Sequence, residues 1–152
     1  MSIFVQATPA PAAKSHETKQ IATLYAGLLT VLAVAQLFTF DEFIELFPLL
    51  GLPVAFAPLI VACEVFALPF LLRMRLSPAF RALSMGLGWF VAVGWLFISI
   101  VAVQQETSDT VGYLGTLVSL SPGWWAVLIA ASFGILAAWS SWGLWPFRRS
   151  GK

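Results

Sequence analysis

The stretch Ala82-Leu83-Ser84-Met85-Gly86-Leu87-Gly88-Trp89-Phe90-Val91-Ala92-Val93-Gly94-Trp95-Leu96-Phe97-Ile98-Ser99-Ile100-Val101-Ala102-Val103 contains no charged side chain. A hydrocarbon core about 30 Å thick is crossed by about 20 apolar residues rising about 1.5 Å each. This segment therefore reads as a membrane-spanning helix. Three others resemble it: about Ile21 to Phe40, about Leu52 to Leu72 with the single charge Glu64, and about Trp124 to Phe147. Lipid cannot satisfy open backbone groups, and alternating strands of about ten residues are absent, so helices are expected and a barrel is not. The expected fold is all-α: a polytopic membrane protein with a four-transmembrane-helix bundle over residues 20–147. Residues 1–19 are expected to form a flexible cytoplasmic tail and residues 148–152 a basic one.

Composition agrees. Of 152 residues, 60% are hydrophobic and 10% charged, against about 25% charged in soluble domains. A water-soluble globule and a disordered chain are excluded. A net charge of +1 gives no field to steer nucleic acid. The lone cysteine, Cys63, excludes an intrachain disulfide framework.

The scarce charges are sorted. Lys14 and Lys19 precede the first span, Arg73, Arg75 and Arg81 lie between the second and third, and Arg148, Arg149 and Lys152 follow the fourth. The other two loops hold Asp41, Glu42, Glu45, Glu106 and Asp109 and no Lys or Arg. The positive-inside rule then places both termini in the cytoplasm, and the expected location is the bacterial inner (plasma) membrane. The run before Ile21 has too short an apolar core for a secretory signal, so the first span is expected to be an uncleaved anchor. Trp124 and Trp125 stand about 18–20 residues from Trp142 and Trp145, or roughly 27–30 Å of helix, which matches two interfacial belts. Trp89, Trp95 and Trp139 are expected to pack between helices.

Ser77-Pro78 and Ser121-Pro122 each place a capping hydroxyl before a proline and should open the third and fourth helices. Phe40, Phe43, Ile44 and Phe47 fall at i, i+3, i+4 and i+7, with Asp41, Glu42 and Glu45 opposite. This predicts a short interfacial helix between helices 1 and 2, apolar side down, followed by a turn at Leu49 to Pro53. In the loop from Gln104 to Ser121 the first half is wet. The second half, from Val111 to Val118, could lie on the membrane or fold over the bundle, and could equally be a lid, a partner surface or a plain connection. Pro58 and Pro69 should bend the second span and leave a small cavity.

Small residues recur every fourth position: Ser84, Gly88 and Ala92 on the third helix, and Ala126, Ala130, Gly134 and Ala138 on the fourth. Such stripes let backbones approach closely. Packing within the chain is the plainer use, and a homo-oligomer interface is the other.

Glu64 is the principal candidate site, because a carboxylate inside a span is costly and marks a function by default. It could hold and exchange a proton, bind a ligand, or accept hydrogen bonds that tie helices together. Candidate partners are Gln36, Tyr25, Trp95 and Ser99. Cys63 reads as an inert core thiol. His16 stands alone on the tail, so no histidine-ligated haem or metal site is expected. The outer acidic residues could bind a cation weakly but read more simply as solvated charges. No cofactor is evident from the residues. Arg73, Arg75 and Arg81 could touch anionic lipid head groups.

Several short motifs occur together. The aromatic segment Phe40-Asp41-Glu42-Phe43-Ile44-Glu45-Leu46-Phe47 leads to the turn Leu50-Gly51-Leu52-Pro53. A helix with a central glutamate follows, Ala62-Cys63-Glu64-Val65, and Pro122-Gly123-Trp124-Trp125 enters the last span. Over most of residues 20–147 the chain resembles the DoxX/MauE-like family of small four-helix membrane proteins. The resemblance implies a membrane component of a redox system. That would be either a quinone-linked thiosulfate-oxidising subunit or a helper in maturing disulfide-containing enzymes. The second role would use paired cysteines in the second outer loop, and this loop has none. Glu64 is the position that carries over, and a quinone is the cofactor implied.

Three functions follow. The first is a non-catalytic membrane subunit or scaffold associated with a partner such as a redox or respiratory complex. The second is a quinone- or lipophile-binding oxidoreductase subunit using Glu64. The third is a small transporter or channel, which four spans could form only by self-assembly.

Overall fold

The computed structural model describes residues 8–105, 110–118 and 120–145. They form five helices: α1 (His16–Phe38), α2 (Phe40–Leu49), α3 (Phe56–Leu71), α4 (Pro78–Gln105) and α5 (Trp124–Leu144). The protein is all-α, and α1, α4 and α5 are each long and apolar enough to cross a membrane. At 16 residues α3 is shorter than the expected 52–72. It measures about 24 Å, because Leu52 to Ala55 form a turn before Pro58 enters the first helical turn.

The helices pack in a ring, α1 on α3, α3 on α4, α4 on α5 and α5 on α1, and α2 lies against α1 and α3. Trp95, Tyr25, Phe43, Phe47, Leu29 and Ile60 are the largest apolar side chains in the centre. Outward-facing positions remain apolar, among them Phe38, Leu128, Trp124 and Ile135, as a lipid-facing surface requires.

Helix boundaries follow local chemistry. Ser77 caps α4 as expected, its hydroxyl accepting from Phe80 N at 3.3 Å. Helix α1 starts at His16, five residues before the expected Ile21, because Ser15 Oγ accepts from Thr18 N at 3.1 Å. Helix α5 does not start at Pro122. Its cap is the extended Gly123, and Trp125 Nε1 reaches back to Ser121 O at 3.1 Å.

Helix α2 covers the predicted segment, but the middle of its apolar stripe, Phe43 and Phe47, is buried in the protein core. It ends in a Schellman motif: Leu52 N donates to Phe47 O at 2.8 Å and Gly51 N to Pro48 O at 3.0 Å, with Gly51 at φ 69. The end of α3 repeats this geometry. Met74 N donates to Pro69 O at 3.0 Å and Arg73 N to Phe70 O at 3.1 Å, with Arg73 at φ 58.

The segment expected to be a flexible tail makes specific contacts where it is described. Thr8 pairs with Leu76, Lys14 N donates to Gly143 O at 3.2 Å, and Thr18 is buried. Lys14, Arg73 and Arg81 thus gather at the end of the bundle opposite Glu42, so the charge sorting of the sequence is present in the fold. Arg148, Arg149, Lys152, Glu106 and Asp109 lie outside the described residues.

Of the tryptophans expected between helices, Trp95 is fully buried, whereas Trp89 and Trp139 are exposed on the bundle surface. Trp89 Nε1 donates to Ser141 Oγ at 2.9 Å. That bond crosses from α4 to α5 without burying the ring.

Candidate functional site

Glu64 sits mid-way along α3, fully buried. Its Oε1 accepts from Trp95 Nε1 of α4 at 2.9 Å and from Gln36 Nε2 of α1 at 3.3 Å. One carboxylate oxygen thus joins three helices. A buried polar group is costly unless it is hydrogen-bonded, and this pairing offsets the cost on one side only. Glu64 Oε2 and Gln36 Oε1 are buried without a partner among the described residues.

The same amide of Gln36 donates to Tyr113 O at 3.1 Å, so the loop after α4 is part of the site. The loop folds over the bundle and does not spread on a surface: Val111 and Tyr113 are buried. Thr116 N donates to Thr39 Oγ1 at 3.0 Å, and the Thr116 hydroxyl bonds the Glu42 carboxylate. Gly115 makes this approach possible. It adopts φ 59, and a side-chain carbon there would overlap Thr39 Oγ1.

Tyr113 packs on Trp95 with ring centroids 4.7 Å apart and meets Phe133 edge-on at 5.9 Å. Its hydroxyl lies 2.6 Å from Ser99 Oγ and 2.7 Å from Ala126 O, while Ser99 Oγ lies 2.7 Å from Trp95 O. Two hydroxyls carry two protons, so at most two of the three close oxygen pairs are bridged by a proton at one time. Burial pushes the Tyr113 phenol up to about 12, with the Ser99 bond acting the other way.

The sequence candidates divide. Gln36 and Trp95 contact Glu64 directly. Ser99 reaches it indirectly, through Trp95 and through Tyr113, whose carbonyl accepts from Gln36. Tyr25 bonds elsewhere, donating to Gly88 O at 2.9 Å. Tyr113 was not among the expected partners. Its only sequence signal is its place between Gly112 and Gly115, both at positive φ.

Of the packing residues, Ser84, Gly88 and Ala92 face inward. Ser84 Oγ donates to Phe66 O at 2.7 Å and accepts from Phe70 N at 3.1 Å. It thereby serves the turn of α3 that carries Pro69, whose missing N–H leaves the helix ladder incomplete. The second stripe splits. Ala126 and Ala130 are buried, but Gly134 and Ala138 turn outward into a groove shared with Trp89, Ala92 and Leu96. Among the described residues no three His, Cys, Asp or Glu side chains converge on one point.

The unpartnered atoms define what could bind beside Glu64. With Glu64 ionised both are acceptors, and the complementary group is a donor such as a quinol hydroxyl; a proton on Glu64 Oε2 would make that oxygen a donor, from which a quinone carbonyl could accept. Access would require the 110–118 loop to move, since Glu64 and Gln36 are both fully buried. No protein-family model matches the chain, and no curated protein or solved structure is significantly similar to it.

Proposed function

We propose that this protein is a small, non-catalytic integral membrane subunit or scaffold that associates with a membrane partner, such as a bacterial redox complex. On this reading α3 is the fourth span, set between α1 and α4, and α2 lies in the outer interface with the acidic loops. Both termini face the cytoplasm. One observation carries the reading: Glu64 Oε1 is the shared acceptor of Gln36 and Trp95. The charge inside the bundle thus has a structural task, clamping three helices. The open groove at Gly134 and Ala138 supports the association, because small residues that do not pack within the chain remain free to admit another helix.

The test places a photo-activated cross-linker at Gly134 in native membranes. A discrete adduct with one membrane protein, or with a second copy of the chain, is expected. Labelling of lipid alone, together with a stable monomer in mild detergent, overturns the proposal.

A second reading rests on the unpartnered Glu64 Oε2 and Gln36 Oε1. A proton held at the pair, or the hydroxyl of a bound quinol, would satisfy them, and the chain would then be the lipophile-binding subunit of a DoxX-like oxidoreductase. Electrons would have to pass to a partner. Glu64→Gln should then abolish quinol-dependent turnover of the assembled complex, and unchanged turnover removes this reading.

A further inference from the structure

The inner end of the bundle holds two guanidinium groups with no anionic partner among the described residues. Arg81 is 8% exposed, yet its Nη2 contacts only neutral oxygens: Thr8 O at 3.2 Å, Thr8 Oγ1 at 3.3 Å, Pro9 O at 3.2 Å and Leu76 O at 3.4 Å. Arg73 Nη2 contacts Pro11 O at 3.3 Å, and its Nε is buried with no partner among the described residues. Charge-assisted bonds to an anion run at about 2.7–2.9 Å, so every one of these contacts is long. Residues 1–16, 65–105 and 110–152 contain no Asp or Glu; Glu17, in the first turn of α1, is exposed and makes no ion pair with either arginine.

A second feature is independent of these contacts. Arg73 occupies the left-handed position of the α3 Schellman motif, the place that Gly51 fills in the same motif of α2. Glycine takes that conformation without steric cost, and arginine does not. A strained residue that a simpler one would replace points to a task for its side chain. The two arginines line a recess with Ala10, Pro11, Phe70 and Leu144. With residues 8–11 seated the clear space is about 10 Å³, close to that of one water.

We propose that the Arg73–Arg81 recess is a binding site for the phosphate of an anionic membrane lipid, and that residues 8–11 are a strap filling it with backbone carbonyls until that phosphate displaces them. Arginine forks suit phosphate oxygens in paired, short bonds. Phe70, Met74 and Leu144 give the recess an apolar wall for the adjoining acyl region. A lipid phosphate is favoured over a free one because the site sits where the apolar bundle ends.

The test compares the full chain in nanodiscs of phosphatidylcholine with nanodiscs that also contain phosphatidylglycerol, reading amide hydrogen exchange over residues 8–14. Exchange should rise several-fold with phosphatidylglycerol, as the Thr8–Leu76 and Lys14–Gly143 backbone bonds open. Inorganic phosphate added to phosphatidylcholine discs should leave it unchanged. Arg73→Gly should keep the fold, since it relieves the strained position, and should lose the response to phosphatidylglycerol. Equal exchange in both lipids, an Arg73→Gly chain that still responds, or release by inorganic phosphate alone would each overturn the proposal.

Discussion

Trp95 Nε1 on α4 and Gln36 Nε2 on α1 donate to the same oxygen of Glu64, so the two donors are coupled through one acceptor. Trp95→Phe removes one donor and keeps most of the ring. It should destabilise the protein by about 1–3 kcal/mol, the range for a buried bond to a carboxyl group. The double variant with Gln36→Leu should depart from additivity by about 0.5–3 kcal/mol. Unfolding in detergent of the four members of the cycle measures it, and strict additivity would show that the donors act separately.

Glu64→Gln preserves shape and supplies an N–H₂ beside Gln36, whose Oε1 now lacks a donor. Glu64→Ala instead leaves Trp95 and Gln36 without their acceptor. The alanine variant should therefore lose about 1–3 kcal/mol more than the glutamine variant. Equal losses would deny Glu64 its clamping role.

How much of this was legible in the sequence depended on the kind of signal. Long uncharged runs predicted α1, α4 and α5, because a bilayer demands unbroken apolar length. The Phe40–Phe47 stripe predicted α2 for the same periodic reason. Glu64 stood out because it is the only charge in an expected span, and the polar groups expected around it, Gln36, Tyr25, Trp95 and Ser99, were few enough to name; two of the four, Gln36 and Trp95, are its donors. Tyr113 escaped because nothing in a loop's composition says that it folds inward; that follows from Gly115 passing against Thr39. Residues 8–15 escaped too, since a Pro/Ala-rich run carries no period, and its contacts with Leu76, Arg81 and Gly143 join positions far apart in the chain.

The Tyr113 phenol supplies a pH dependence. Its value in the folded protein is raised to about 12 from 10.0, chiefly by burial. The unfolded chain therefore loses this proton first, and stability contributed by the neutral phenol is full below about pH 10 and falls as pH rises from about 10 through 12. Spectroscopic titration should place tyrosinate formation at Tyr113 in that upper range, with Tyr113→Phe identifying the signal. Gly115→Ala, which prises the loop from Thr39, should bring the titration down towards 10. A Tyr113 that titrates at 10 in the native protein would show that the loop does not cover it.

Ser84 Oγ bridges α4 to the Pro69 turn of α3 through Phe66 O and Phe70 N. Ser84→Ala leaves a buried N–H unanswered in a helix already short of one donor, and should cost about 1–3 kcal/mol. Ser84→Thr keeps the hydroxyl and should cost less if the added methyl is accommodated. Thermal unfolding of both variants distinguishes a hydrogen-bond role from simple small-residue packing, under which alanine would be the milder change.

Gly143 closes the ring of helices at the end that carries Lys14, where α5 passes α1. A side-chain carbon at this position would overlap the Thr18 side chain, and Gly143 O accepts from Lys14 N at 3.2 Å. Gly143→Ala must push the helices apart or rotate Thr18 away from Ser15, whose capping hydroxyl lies 3.0 Å from Thr18 Oγ1 and accepts from Thr18 N at 3.1 Å. Overpacking of this kind costs about 1–3 kcal/mol, and here it acts on the cap of α1 and on the Lys14 bond together. The variant should unfold earlier and show faster hydrogen exchange at Lys14 and Thr18, with residues around Glu64 unaffected. Thr18→Ser removes the methyl that the new carbon would strike first, and in combination it should recover part of the loss. Failure of that rescue would mean that backbone separation, and not the Thr18 side chain, sets the need for glycine.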